Sequence, residues 1–421
     1  MKYILLLLAI GVFQVSAVNW ALLVSGSNAF YNYRHQADVC HSYKTLIRNG
    51  YSPENVIVFA YDDIAQNRQN IYKGAIYNQP NKDGFSENVY DGCVIDYTKT
   101  DVNPANFLNV LKGNYDHLPD GHKFINSTRE DNIFVYFSDH GSPGLIAFPT
   151  SYLYEQELIE TFQYMYENDR YNKLVFYLET CESGSMFVNL PTNHRIYALS
   201  AANPFESSWG TYCPPDDVVN GKSLGTCLGD EFSVTFLENV DLGDFSQSLQ
   251  EHFEFIRDHT LLSNVMQWGD VSFTSDTIKE FFWGRRFQEK RKMCPKDAFF
   301  MNEENVSRWD SRDNKLLFYQ NRFNQTGDLE DFIELEKEIK SRAYFDTIFG
   351  ELQQSLKLTG DYHFALNQNC LKSVIEIFED KCTKLTDYGL KYVKLFGEMC
   401  DSTNLLQIQL NMVVSTLCMT E

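Results

Sequence analysis

The chain has 421 residues, 43% of them hydrophobic and 15% aromatic, and a formal net charge of −21. That length allows two domains and a sizeable core, and that apolar content excludes a disordered chain. The negative balance argues against nucleic acid or an anionic membrane as the main partner; it suits an acidic compartment and ordinary solubility equally well.

Met1-Lys2 and the apolar run 3–15 lead into the small residues Val15-Ser16-Ala17. This is the pattern of a secretory signal peptide over 1–17, too short to span a bilayer, and no later apolar run reaches spanning length. Secretory entry turns the ten cysteines into a disulfide question. Cys213 and Cys227 bracket a polar loop and form an expected pair. Cys370, Cys382, Cys400 and Cys418 lie near the C-terminus, and the partners of Cys40, Cys93 and Cys294 are left open. The sequons at Asn126, Asn305 and Asn324 are glycosylation candidates.

In chain order, 19–25 (NWALLVS) reads as a first strand and 28–34 as the loop at its carboxyl end. The span 35–48 has helical spacing, 56–61 is a second strand, 64–92 is a polar loop, and 104–112 is a helix opened by proline. A strand over 133–137, a helix over 153–166 and a strand over 173–178 follow. Then come a strand over 195–201 and helices over 230–238 and 245–258. Strands alternating with helices predict an α/β fold with a parallel sheet covered on both faces. From 295 to 327 the chain is polar without sustained period and reads as a linker. From Leu329 onward the pattern is helical, which predicts a separate all-α unit.

Two apolar runs end in chemically capable residues: IFVYFSDHG in His140-Gly141, and LVFYLETCESGS in Cys181 and a small polar turn. Ligands in open α/β sheets bind beyond the carboxyl ends of strands, so both side chains are expected at one sheet edge. A thiol beside an imidazole is a nucleophile with its base. A lone cysteine is more often a buried structural residue, but a core cysteine sits inside an apolar run rather than at its polar end. A lone histidine at a strand end is often just a hydrogen-bonded loop residue. Gly141 sharpens the pair, because glycine lets a backbone N–H approach a substrate oxygen closely. Asn32, in the first strand's loop, is a candidate to orient the histidine. Gly221-Lys222-Ser223-Leu224-Gly225 has the spelling of a nucleophile elbow but sits in the Cys213–Cys227 loop, not between a strand and a helix, and Asp216 rules out a P-loop there. No metal-type motif is present.

The His140-Gly141 and Glu179-Thr180-Cys181 pairings resemble the caspase-like, clan CD cysteine proteases. Ser25 to Asn28, Tyr31 to Asp38 (YNYRHQAD), Glu179 to Ser185 (ETCESGS) and Ala201 to Ser208 (AANPFESS) resemble the legumain family of asparaginyl endopeptidases, from Asn19 to the C-terminus. The resemblance implies a caspase-like α/β/α sandwich with a mostly parallel sheet, followed by an all-α C-terminal prodomain, and no cofactor or metal. It implies a peptidase domain over 18–294, an activation linker over 295–327 and a prodomain over 328–421. Carried over by motif, Cys181 is the nucleophile, His140 the general acid/base and Asn32 its orienter, with the N–H groups of Gly141 and Cys181 binding the oxyanion. Asp139 falls in the same histidine motif. The S1 pocket maps onto Arg34, His35, Glu179, Ser207 and Asp230. A carboxamide pairs one acceptor oxygen with two donor hydrogens, which Arg34 on one side and Glu179 and Asp230 on the other would match.

The family further implies protein and peptide substrates cut after Asn, and after Asp at acid pH, in a lysosome- or vacuole-like compartment. It implies disulfides Cys370–Cys400 and Cys382–Cys418, a tail that inhibits its own peptidase domain until acid releases it, and cystatin-type inhibitors as further partners. Protonation of carboxylates at the tail interface is the expected cause of release. Gly327 stands where relatives carry an activating Asn, which leaves Asn314, Asn321, Asn324 and Asp328 as processing candidates. The long Cys213–Cys227 loop resembles the plant-type enzymes. Competing readings are a transpeptidase or peptide ligase, a GPI-anchor transamidase-like subunit, and a catalytically dead binding protein on the same fold.

Overall fold

A computed structural model describes residues 17–81, 85–284, 305–361, 367–402 and 407–418. The expected signal peptide up to residue 16, Cys294 and the expected boundary at 294/295 lie outside them.

Six strands form the central sheet: β1 (Asn19–Ser25), β2 (Val56–Ala60), β3 (Asn132–Ser138), β7 (Lys173–Glu179), β8 (Ile196–Ser200) and β13 (Met266–Gly269), in the order β13-β8-β7-β3-β1-β2. All neighbours pair in parallel except β13, which closes the edge antiparallel to β8. The runs are apolar throughout because both faces are covered. Leu22, Val24, Ile133, Val135 and Phe137 pack under α2 (Pro104–Lys112) and α3 (Glu155–Glu167), through Phe107, Leu158 and Phe162. Their alternates Ala21, Leu23, Phe134 and Tyr136 pack against α1 (Tyr33–Arg48), α4 (Glu231–Asp241), α5 (Leu249–His259) and α6 (Lys279–Phe282). This is the expected α/β/α sandwich.

A hairpin set follows the catalytic-candidate histidine: β4 (Gly141–Ser142), β5 (Leu145–Phe148) and β6 (Ser151–Tyr154). It claims Leu153, so α3 starts two residues later than its period suggests. The short strands β9 (Trp209–Thr211), β12 (Gly229–Asp230) and β14 (Arg308–Asp310) form a second sheet, with the ribbon β10 (Val218–Val219) and β11 (Lys222–Ser223) beside it. Pairing with β9 takes Asp230 out of the helix predicted from it. Cys213–Cys227 closes the ribbon's loop, and Cys40–Cys93 pins the polar loop over 64–92 to α1.

The described part of the stretch expected to be an irregular linker, from 305 onward, is mostly regular. It contributes β14 and then α7 (Asn314–Thr326), whose Phe318 is buried beside Phe30 and Tyr31 of the peptidase domain. One buried aromatic anchors that helix, too little to produce a legible period. The tail is α8 (Leu329–Leu356), α9 (Gln368–Lys381), α10 (Val393–Ser402) and α11 (Gln407–Leu417), joined by Cys370–Cys400 and Cys382–Cys418. Its core includes Phe345, Phe349, Leu371, Phe378 and Phe396, and Leu145, Ala147 and Tyr154 of the hairpin set join that core. The tail therefore docks on the segment that leaves the sheet after His140. Among the described residues no helix is long and apolar enough to cross a membrane.

Candidate active site

β1, β3 and β7 end level: Ser25 pairs with Ser138, and Ser138 with Glu179. Asp139 N–H then donates to Glu179 O at 3.1 Å, so the chains leaving β3 and β7 run side by side. A Cβ on Gly141 would lie 2.5 Å from the Cys181 carbonyl oxygen and 2.6 Å from Thr180 Oγ1. Glycine is required for that backbone approach, which brings His140 and Cys181 to one edge.

His140 is buried, and its Nε2 lies 2.9 Å from Asn32 Oδ1. Asn32 donates its amide hydrogen to Asn28 O at 3.1 Å, so its oxygen faces the ring. An amide oxygen only accepts; Nε2 therefore carries a proton, and the lone pair of the neutral ring lies on Nδ1. Nδ1 is buried without a hydrogen-bond partner. Cys181 is fully buried and is the one cysteine among the described residues outside a disulfide. Its Sγ accepts from Ser208 N–H at 3.4 Å and lies 3.9 Å from Ser208 Oγ. Burial pushes the thiol up to about 12, helped by the charges of Glu182 and Asp310 and opposed by Arg312 and the Ser208 N–H.

A second polar group lies beside this pair. Arg34 is fully buried; its Nε donates to Asp230 Oδ1 at 2.7 Å, while Nη2 has no partner. Glu179 Oε2 accepts from Ser233 N–H at 3.0 Å and Ser233 Oγ at 2.9 Å, while its Oε1 has no partner. His35 Nδ1 meets Ser27 Oγ at 2.7 Å, and Nε2 lies 3.6 Å from Asp230 Oδ2. Burial, with Arg34 and His140 adding to it, holds His35 well below its ordinary range, so this imidazole is neutral. Asp139 is pushed well above the carboxylate range by burial. His35, Asp139 and His140 each bring a ligand-type atom within 4.8 Å of the others, the group with metal-ligand spacing among the described residues.

Four of the five residues expected to form S1 are thus in one cluster. Ser207 lines a cavity with Glu182, Pro204 and Arg312 on one side and Tyr388 and Lys391 of the tail on the other. Its neighbour Ser208 is the one that touches the thiol.

Two residues that sequence reasoning missed close the site. Asp387, between α9 and α10, places Oδ2 3.3 Å from His140 Nε2. Arg312, between β14 and α7, donates Nη2 to Gly141 O at 2.8 Å and Nη1 to Asp387 O at 3.0 Å, and pairs with Glu182. Ser142 Oγ donates to Leu390 O at 2.7 Å. The tail sits directly on the His140–Gly141 segment. Neither Asp387 nor Arg312 lies in a motif, so the sequence carried no signal for them.

The chain matches the peptidase C13 family over residues 19–298 and the legumain prodomain over 334–418. It is similar to the vacuolar-processing enzyme delta-isozyme of Arabidopsis thaliana, at 37% identity over 92% of this chain and 88% of that protein. It is also similar to the vacuolar-processing enzyme beta-isozyme 1 of Oryza sativa subsp. japonica (36%; 91% and 81%) and to legumain of Canavalia ensiformis (34%; 91% and 85%). Among solved structures it aligns with caspase-1 from Spodoptera frugiperda at a TM-score of 0.38 and 9% identity, covering 65% of this chain and 92% of that one. His140 and a buried Cys181 at one sheet edge, a cluster holding unpaired Arg34 and Glu179 atoms, and a tail seated on the His140–Gly141 segment thus occur in a chain that belongs to the peptidase C13 family, as a cysteine endopeptidase of the asparaginyl type carrying a legumain prodomain.

Proposed function

We propose that Cys181 and His140 cut peptide bonds after asparagine by an acyl-enzyme route. His140 takes the Cys181 proton on Nδ1, and the thiolate attacks the carbonyl carbon of the scissile bond. The oxyanion that forms is held by the N–H groups of Gly141 and Cys181. Collapse breaks the C–N bond, and His140 gives its proton to the leaving amine. Water then attacks the thioester carbonyl, His140 takes a proton from it, and the carboxylic acid leaves with the thiol restored. Asn32 supports this role by holding Nε2 and leaving Nδ1 for the reacting atoms.

The observation that carries the substrate reading is the mismatch in the Arg34 cluster: a buried donor, Arg34 Nη2, and a buried acceptor, Glu179 Oε1, lack partners, as does His35 Nε2. A side chain offering an acceptor and a donor together, as the asparagine carboxamide does, pairs both, and one lacking either leaves a buried charge unpaired. Asp230 is less available than its sequence position suggests, because Oδ1 already serves Arg34 Nε. Protonated aspartate likewise sets an acceptor oxygen beside a donor, its single O–H, which supports its use at acid pH.

The tail on His140 supports a self-inhibited precursor. The vacuole in the relatives' names and the signal-like N-terminus support an acidic compartment of the secretory pathway. Asn126, Asn305 and Asn324 are all exposed, which suits glycosylation.

Incubation at pH 5 of the full chain and of Cys181→Ala, followed by turnover of Ala-Ala-Asn and Ala-Ala-Gln reporters, tests the proposal. Wild type should cleave the Asn reporter alone and Cys181→Ala neither. Equal turnover of both reporters removes the S1 reading, and activity in Cys181→Ala removes the mechanism.

A further inference from the structure

A second polar layer lies behind the Arg34–Asp230 pair and takes no part in the chemistry above. α1 presents Arg34, Asp38, His41 and Thr45 at spacings of four, three and four, so all four share one buried face. Arg34 holds the Asp230 side chain; one turn on, Asp38 holds its backbone, with Oδ2 accepting Asp230 N–H at 3.1 Å. Asp38 Oδ1 accepts from Asn78 Nδ2 at 2.6 Å, and the same Nδ2 donates to Leu228 O at 3.0 Å. Asn78 Oδ1 faces His41 Nδ1 at 2.7 Å, and His41 Nε2 lies 3.1 Å from Asp241 Oδ2. Thr45 Oγ1 completes the row by donating to Asp241 Oδ1 at 2.9 Å.

The orientation of this row is fixed from within. Asn78 Nδ2 meets two acceptors, so its oxygen must be the atom facing His41, which then donates from Nδ1. Nε2 faces a carboxylate and donates as well, so the imidazole is charged. Burial alone would lower its basicity, but the bond to Asp241 more than offsets that and raises it. The row closes on a glycine: a Cβ at Gly229 would lie 2.8 Å from Asn78 Nδ2, 2.9 Å from Asp38 Oδ1 and 2.4 Å from Val234 Cγ2. Side chains of α1 and of the 64–92 loop thus pack on the bare backbone of β12, the strand that carries Asp230.

Asp38, Asp230 and Glu179 are three buried carboxyl groups around the single guanidinium of Arg34. Such a cluster has other arrangements in which Arg34 turns to a different carboxyl group and Nη2 no longer faces a substrate. Two fixed points select one of them: Asp38 on the Asp230 N–H and Asn78 on the Leu228 carbonyl.

We propose that Asn78 and Asp38 are positioning residues for the S1 pocket, acting through the Leu228–Asp230 backbone to fix Asp230 and thereby the direction in which Arg34 presents its unpaired nitrogen to the carboxamide. The proposal rests on the S1 reading above. It gives the 64–92 loop a task, and the Cys40–Cys93 disulfide fastens that loop to α1 between Asp38 and His41.

The test compares Asn78→Ala, Asn78→Ser and Asp230→Asn with wild type. Each is expressed as the full chain and activated at acid pH, with active sites counted by a thiol-reactive Asn probe. Loss of aim weakens ground and transition states alike, so KM for the Asn reporter should rise roughly tenfold in Asn78→Ala, with kcat per active site nearly unchanged. Its preference for Asn over Gln should shrink by a similar factor. Asn78→Ser, whose hydroxyl is too short to span Asp38 and Leu228 but keeps the cavity polar, carries the same readout if the alanine variant does not fold. A merely structural role would lower the count of active sites and the melting temperature while leaving KM and the preference at wild-type values, and that result overturns the proposal. If Asp230→Asn also leaves KM and preference unchanged, the S1 reading itself has failed; if Asp230→Asn loses both while the Asn78 variants keep them, this proposal alone has failed.

Discussion

The carboxylate of Asp387 lies 3.3 Å from Nε2 of His140, and the Asp387 side chain remains 27% exposed. The tail therefore pairs with His140 at the nitrogen Asn32 also holds, away from the nitrogen that the proposed mechanism gives to the thiol. Burial alone would raise Asp387, but His140, with Lys315 and Arg34 behind it, holds it well below the usual carboxylate range. A depressed carboxylate stabilises the closed chain in full above its ordinary value of about 4, and loses that contribution only as pH falls towards the depressed one. The pair is thus intact at pH 5. Glu182, pushed up to about 7 by burial despite Arg312, acts in the opposite sense: it favours the closed chain at low pH and loses that effect as pH rises through about 7. Neither group opens the site at pH 5 by titration alone. Asp387→Asn keeps the shape and removes the charge, so self-processing after a jump to pH 5.5 should run about tenfold faster than in wild type. Identical lag times at every pH would show that this pair does not hold the tail.

Cys181 follows from the same closure. With the thiol pushed up to about 12, mainly by burial, far less of it is thiolate at pH 7 than in an ordinary cysteine. Alkylation of Cys181 by iodoacetamide, followed by mass spectrometry, should be at least about a hundredfold slower in the full chain than after tail removal. Equal rates in the two forms would mean that the tail leaves the thiol open.

What the sequence exposed and what it hid divide along a physical line. His140 and Cys181 were legible because strands buried on both faces must be apolar, so their polar ends stand out. Arg34 was legible through a motif. Asp387 was not, because its role depends on a tail reaching back across 247 positions to His140, and no local period records such a contact. α7 and β14 were missed because a three-residue strand and a helix held by one buried phenylalanine leave almost no pattern. Leu153 and Tyr154, the end of β6, were read as the start of α3, since they continue the helical spacing.

Arg34 uses two faces of its guanidinium. Nε is spent on Asp230 at 2.7 Å and Nη2 is left over. Lysine offers one point charge and cannot hold the carboxylate while pointing a second donor at the substrate. Arg34→Lys should lower kcat/KM for the Asn reporter roughly a hundredfold, and leave Cys181 reactive towards small alkylating agents after tail removal. Retained turnover with unchanged KM would remove Arg34 from the substrate pocket.

The bond that frees the tail can be located from exposure. A protease needs several residues of accessible, extendable chain. Asn314 is buried at the start of α7, and Asn321 lies mid-helix with its amide 3.4 Å from Gly225 O. Residues 324–330 are exposed without a break, and Gly327 and Asp328 stand between α7 and α8, outside either helix. Asp328 is the member of this window that is both non-helical and of a residue type that the proposed S1 pocket accepts. Its carboxylate accepts from Glu330 N–H at 3.0 Å as the cap of α8. Mass spectrometry of the pH 5 products should find a new C-terminus at Asp328, with Asn324 used when it is not glycosylated. Asp328→Ala should slow tail release roughly tenfold, while a main cut after Asn314 or Asn321 would refute the exposure argument.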